Sequence, residues 1–228
     1  MVELNFTLDT ANGVTPLTLP IGQTVIAGWT GRDPVARDKH IAELMAIGIA
    51  RPAATPIYYR VAAARVTTAD RIEVVGGDSS GEAEFVLIAA QGRVLVGVGS
   101  DHTDRKVERY GLTVAKQMCD KPMSSQLWDY AELADHWDQI VLRSYATIGG
   151  NRVLYQEGRL SGVLPVAEII AKAFHSGEMP DHCVMFGGTI PVKGGVRPST
   201  RFECELEDPV LKRTLRHGYD VVTLPILG

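Results

Sequence analysis

Residues 81–101 read GEAEFVLIAAQGRVLVGVGSD. Two apolar runs flank Gln91-Gly92, and acids stand only at the far ends. A two-residue loop at Gln91-Gly92 makes this stretch a β-hairpin. Counting outward from the loop, Ala90 faces Arg93, Glu84 faces Gly99 and Glu82 faces Asp101. Directly opposed residues share a face of the ribbon, and so do residues i and i+2 of one strand. Glu82, Glu84 and Asp101 therefore project from one face at one end, with Gly99 leaving space beside Glu84. Like charges so placed repel. A hard divalent cation, Mg2+ or Mn2+, offsets the repulsion because it prefers carboxylate oxygens and water. A one-residue slip of register would send Asp101 to the other face. On spacing alone, Glu-x-Glu also describes solvent-facing acids at a strand end; the matched Asp101 puts the metal reading on a par with that one.

Outward from this hairpin, short strand-like runs recur: VELNFTL, VIAGWT, IYYRVA, RIEVV, IVLRSYATI, NRVLYQ, HCVMFGG, RFECELE and VVTLPI. Two segments read as helices. In 33–48, Asp33 suits the N-cap, Pro34 the first helical position and Gly48 the end. In 164–177, Pro165 stands near the start and Gly177 after the end. Weaker helical signals lie in 102–111 and 128–137. Strands dominate and helices do not alternate with them, which predicts an α+β fold with a mixed, largely antiparallel sheet rather than a doubly wound one. The 228 residues are 45% hydrophobic, ample for a sizeable core, and carry a net charge of −4 without a basic stripe for nucleic acid. Cys119, Cys183 and Cys204 are odd in number and far apart, which fits a reducing compartment, and none has a local base signature for a thiol nucleophile. The first ten residues alternate like a strand and lack the pattern of a signal peptide, and no apolar run is long enough to span a bilayer. The expectation is a cytoplasmic protein with no membrane or nucleic-acid partner.

The order of motifs resembles the fumarylacetoacetate hydrolase superfamily. DKHIAEL looks like its His-x-x-Glu lid helix, ARPAATPIYYRV like the Pro-rich segment and strand that follow, and GEAEFVLI like its metal-binding Glu-x-Glu strand. GSDHTDRK is similar to the segment that supplies the third ligand, and AKQMCDKPMSS to the lysine stretch. GGNRVLYQEGRLSGVLPVAEIIA and VMFGGTIPVKGG resemble the late hairpin and the Gly-Thr-x-Pro loop. The match runs in order over roughly residues 25 to 207. Departures mark a divergent bacterial branch: the connection between Glu84 and Asp101 is a bare turn where relatives have a helix, the step from Asp101 to Lys116 is short, Glu108 stands where relatives often carry Gln, the late loop lacks its first Thr, and the lid approach is unusually charged.

The resemblance implies a β-roll or sandwich with a few flanking helices, an N-terminal β appendage over 1–24 and a catalytic domain over 25–228. It implies Mg2+ or Mn2+ on Glu82, Glu84 and Asp101, and a homodimer. His40 and Glu43, at i and i+3, share a helix face and by spacing alone are an ordinary surface pair beside Ile41, Leu44 and Met45; the resemblance makes them the pair that activates water. Lys116 would neutralise a substrate oxygen, or be a solvated lysine, with Lys121 a competitor for the role. Arg105 pairs with Asp101 or binds a substrate carboxylate. Gly187, Gly188 and Thr189 form an anion-binding loop or a tight turn, and Gln156 contacts substrate or sits at a strand edge. The activity implied is hydrolysis of a C–C bond in a small 1,3-dicarbonyl or 2-oxo acid, acylpyruvate-like. Decarboxylation, hydration or isomerisation of a 2-oxo acid on the same platform is the alternative, and a non-catalytic binding protein retaining the fold is another.

Overall fold

The computed structural model describes residues 1–46 and 51–227, without the side chains of His40 and Leu44. In chain order the strands are β1 (Val2–Thr10), β2 (Gly13–Ile21), β3 (Gln23–Gly28), β4 (Ile57–Val61), β5 (Val66–Thr67), β6 (Arg71–Val75), β7 (Ser79–Ser80), β8 (Ala83–Ala90), β9 (Arg93–Ser100), β10 (Thr103–Asp104), β11 (Lys121–Pro122), β12 (Gln126–Asp129), β13 (Val141–Ile148), β14 (Asn151–Arg159), β15 (Cys183–Thr189), β16 (Arg201–Asp208) and β17 (Arg213–Leu224). The α-helices are α1 (Pro34–Ala46), α2 (Leu112–Met118) and α3 (Val166–Ala173).

Two sheets carry the architecture. The larger runs β2-β1-β12-β9-β8-β15-β3-β4 and the smaller β14-β13-β16-β17-β6. The hairpin at its centre has the expected register, Ala90 against Arg93 through Glu84 against Gly99. Gln91 (φ 55°) and Gly92 (φ 73°) both take positive φ, the conformation a two-residue hairpin loop needs. Every residue of β8 is buried. Phe85 and Leu87 face the smaller sheet and pack with Leu142, Phe202, Leu206 and Tyr219. Val86 and Ile88 face the other way, with Phe6, Leu19, Ile26, Tyr59 and Phe186. That second core draws almost wholly on the large sheet itself, so the sheet rolls to bury its own outer face. The result is an α+β roll packed on a sandwich, as the strand-rich reading anticipates. The smaller sheet shows the plain two-residue period: Phe202, Cys204 and Leu206 of β16 point inward, while Glu203, Glu205 and Glu207 are partly exposed.

Local signals account for the helix ends. The Asp33 carboxylate accepts from the amides of Val35 and Ala36 at 2.8 and 3.3 Å, capping α1. The expected end of α1 at Gly48 lies outside the described residues. Helix α3 stops at Ala173, short of Gly177, because Phe174 turns to extended backbone and the chain folds into a turn closed by the Gly177 amide on the Phe174 carbonyl. The helix expected over 102–111 does not form. Thr103 and Asp104 pair with β7, and the Asp104 carboxylate caps Lys106 and Val107 in a tight turn. The segment 128–137 is likewise two 3-10 turns, broken at His136 (φ −130°), which lets Trp137 meet Phe85 edge-on at 5.1 Å. Both Trp128 and Trp137 are buried core residues. Strand β2 and helix α2 were not expected from the sequence. Strands β1 and β2 extend the large sheet at one edge, β1 pairing in parallel with β12. No helix among the described residues is long and apolar enough to cross a membrane.

Candidate metal centre

The hairpin ladder continues one step past its last pair: the Asp101 amide donates to the Glu82 carbonyl at 2.9 Å. The three acids thus share the face of Val86 and Ile88, at the end of the hairpin away from its loop. One oxygen from each of Glu82, Glu84 and Asp101 lies within 4.8 Å of the others. Gly99 is required opposite Glu84, since a Cβ there would stand 2.7 Å from the Pro122 carbonyl and 2.9 Å from Met123. Glu84 and Asp101 are buried and Glu82 partly so. Burial first, and then the neighbouring Asp101, hold the Glu84 carboxyl well above the usual carboxylate range. For Asp101 burial works in the same direction, but Lys116 and Lys121 outweigh it and hold the group below that range. The Oδ1 of Asp101 accepts no aligned hydrogen bond, although Lys121 Nζ is 3.2 Å away. Three convergent carboxylates, two of them buried and one with an unpartnered oxygen, fit a hard divalent cation.

Three cations surround the acids. Lys116 of α2 bonds Asp101 Oδ2, lies 3.8 Å from Glu82 and sits 5.5 Å over the Tyr59 ring. Burial opposes its charge, yet Asp101, Glu82 and Glu84 hold its pKa above the ordinary lysine value. Lys121 donates to the His102 carbonyl at 2.6 Å, and burial pushes it below that value with Asp101 only partly opposing. Both candidate lysines therefore meet the same aspartate, one on each oxygen. Arg105 lies 3.2 Å from Glu82, donates to Ser80 Oγ at 2.7 Å and pairs with Glu108 at 3.2 Å. Its partner is Glu82 rather than Asp101.

The late loop serves the platform from behind. The Gly188 amide donates to Glu84 Oε2 at 2.7 Å, and the Thr189 hydroxyl to the Ala83 carbonyl at 2.8 Å. Gln156 accepts from the Ala83 amide and the Ser144 hydroxyl, and donates to Thr189 and to the Ile190 carbonyl. Its amide is thus fully engaged within the protein, and Gln156, Gly188 and Thr189 together brace the strand that carries Glu84. The glycine loop, through the Gly188 amide, bonds the internal carboxylate of Glu84. Gly187 abuts the Phe85 ring. His40 lies in α1 but its side chain is outside the described residues, and Glu43 is exposed on the same helix. Reading the sequence missed Ser100 and Tyr219. His102, next to Asp101, turns away from the acids and is buried between Tyr219 and Ser79; burial first, then Lys121 and Arg105, push its pKa down to about 3. The strand alternation around Asp101 foretells that direction, but nothing in the sequence foretells Tyr219.

A family model described as "Protein of unknown function (DUF2848)" matches residues 27–219. No curated protein matches the chain. Solved structures do. Cg1458 is similar at 16% identity, over 93% of this chain and 81% of that one, with a TM-score of 0.65. 2-Keto-3-deoxy-D-arabinonate dehydratase complexed with magnesium and 2,5-dioxopentanoate is similar at 13% identity, over 94% and 78%, with a TM-score of 0.67. 4-Oxalocrotonate decarboxylase from Pseudomonas putida G7, complexed with magnesium and adipate, is similar at 14% identity, over 90% and 78%, with a TM-score of 0.53. These likenesses are of fold, and the fold is that of the fumarylacetoacetate hydrolase superfamily.

Proposed function

The chain belongs to the DUF2848 family, and on that premise we propose that it is a divalent-metal-dependent lyase of a small 2-oxo acid, acting by decarboxylation or by loss or gain of water. The observation that carries this reading is the convergence of Glu82, Glu84 and Asp101 within 4.8 Å, beside Lys116 and Arg105. The three carboxylates would hold Mg2+ or Mn2+, which when bound supplies Lewis-acid stabilisation of negative charge developing on the 2-oxo oxygen. Lys116, held by Asp101 and Glu82, adds a second positive charge at the same place. Arg105, tied to Glu82, Glu108 and Ser80, orients the outermost ligand and adds positive charge beside the place of a substrate carboxylate. The ligand of the dehydratase, 2,5-dioxopentanoate, is a small 2-oxo acid, and that of the decarboxylase, adipate, is a small dicarboxylate.

Proton exchange tests the reading. With Mg2+ in D2O, the protein should catalyse loss of the C3 protons of a simple 2-oxo acid such as 2-oxobutyrate, followed by NMR, and Glu84→Gln should not. Absence of exchange and of turnover across a panel of 2-oxo acids would sink it. Hydrolysis of an acylpyruvate, with His40 and Glu43 activating water, is the second reading on the same platform, favoured by the His-x-x-Glu spacing in α1. His40→Ala separates them: hydrolysis is lost, while decarboxylation or dehydration keeps substantial rate. The homodimer that belongs to this reading is open to light scattering.

A further inference from the structure

Asp101 is gripped from behind through its two chain neighbours. Ser100 and His102 both direct their side chains to Tyr219 of β17, and all three are buried. The Tyr219 hydroxyl donates to Ser100 Oγ at 2.8 Å and lies 2.9 Å from His102 Nδ1. Ser100 Oγ also accepts the amide of Glu82 at 3.1 Å. With its one proton on Ser100, the phenol oxygen accepts from His102, so the ring carries its proton on Nδ1. Its Nε2 is then the acceptor for the Ser79 hydroxyl, 2.9 Å away. Satisfied buried chains of this kind rigidify what they connect.

We propose that Tyr219 is a positioning residue for the metal centre: by holding Ser100 and His102, and through Ser100 the amide of Glu82, its hydroxyl sets the separation of the Glu82 and Asp101 carboxylates. The inference rests on the metal reading above and adds a selectivity to it. Mg2+ demands near-ideal octahedral geometry, whereas Ca2+ accepts longer and more variable distances. Loosening the clamp should therefore cost Mg2+ more than Ca2+.

Calorimetric titration of the whole chain with Mg2+ and with Ca2+ tests this, on wild type, Tyr219→Phe, Ser100→Ala and Tyr155→Phe. Tyr155 is an equally buried tyrosine whose hydroxyl bonds the Arg197 backbone and neither chain neighbour of Asp101. Loss of an outer-sphere partner typically weakens metal binding by about 10–100-fold. Tyr219→Phe and Ser100→Ala should weaken Mg2+ by that much and Ca2+ by less, and broaden the electron paramagnetic resonance lines of bound Mn2+. Tyr155→Phe should leave both affinities at wild-type values. Tyr219→Phe and Ser100→Ala that bind both ions like wild type overturn the clamp alone. A fall shared equally by both ions, or matched by Tyr155→Phe, reduces Tyr219 to a packing residue and also overturns it. A wild-type chain that binds neither ion overturns the metal reading and the clamp together.

Discussion

The amide of Gly188 donates to Oε2 of Glu84 at 2.7 Å, joining the late loop to the centre of the acidic platform. Gly188 has φ +105°, and a Cβ there would run into the Thr30 hydroxyl. Gly188→Ala therefore meets both backbone strain and a clash. We expect a loss of about 1–3 kcal/mol in denaturant unfolding, with weaker Mn2+ binding because the displaced loop carries its backbone amide away from Glu84. Wild-type values in both measurements would show that the loop does not brace Glu84.

Lys121 and Asp101 are both fully buried, 3.2 Å apart. Removing one partner of a buried ion pair typically costs about 3–5 kcal/mol, because the other charge is left uncompensated. Lys116 still pairs with Asp101 after Lys121→Met, so that change should cost less than this range, and Lys121→Met with Asp101→Asn should cost less than the two single changes summed. Strict additivity in a urea double-mutant cycle would rule out the coupling.

Ligand binding to the folded state alone stabilises it by mass action, by about 2.7 kcal/mol at a hundred times Kd. The melting temperature should climb with Mg2+ concentration and return to its starting value with EDTA. Asp101→Asn should give a flat response. A melting curve indifferent to Mg2+ and Mn2+ argues against the three carboxylates as a cation site.

His217 lies in β17, where burial pushes its pKa below the ordinary value despite the opposing Ala69 carbonyl and Asp70, with Arg201 adding to the fall. Above pH 6.5 both folded and unfolded chains carry it neutral. Below that value the unfolded chain takes up the proton first, so stability should fall as pH drops from about 6.5 toward the lower folded value. His102, with a folded pKa of about 3, adds a fall of the same sign down to that pH. His217→Gln should make the decline in urea midpoint between pH 6.5 and 5 shallower without abolishing it. An unchanged slope would mean that His217 charges freely in the folded chain.

The central hairpin was legible in the residues because two local rules agree there. Gln91-Gly92 is a loop that tolerates positive φ, and side-chain alternation carries the register from that loop to Glu82 and Asp101. The Asp33 cap and the outward acids of β16 were legible for the same kind of reason. Helices assigned to 102–111 and 128–137 failed because pairing with the separate strand β7 and the local carboxylate caps of Asp104 and Asp129 override weak helical propensity.

The sequence by itself thus determined which three carboxylates meet, since that follows from one turn and a period of two. Only the tertiary structure decided what surrounds them. Lys116 and Lys121 take one oxygen each of Asp101, Gln156 and Thr189 brace Ala83, and Tyr219 reaches Ser100 from 119 residues away. A hydrogen bond between residues so distant in the chain has no local pattern; it exists because two sheets are packed face to face, and that packing is a property of the whole core.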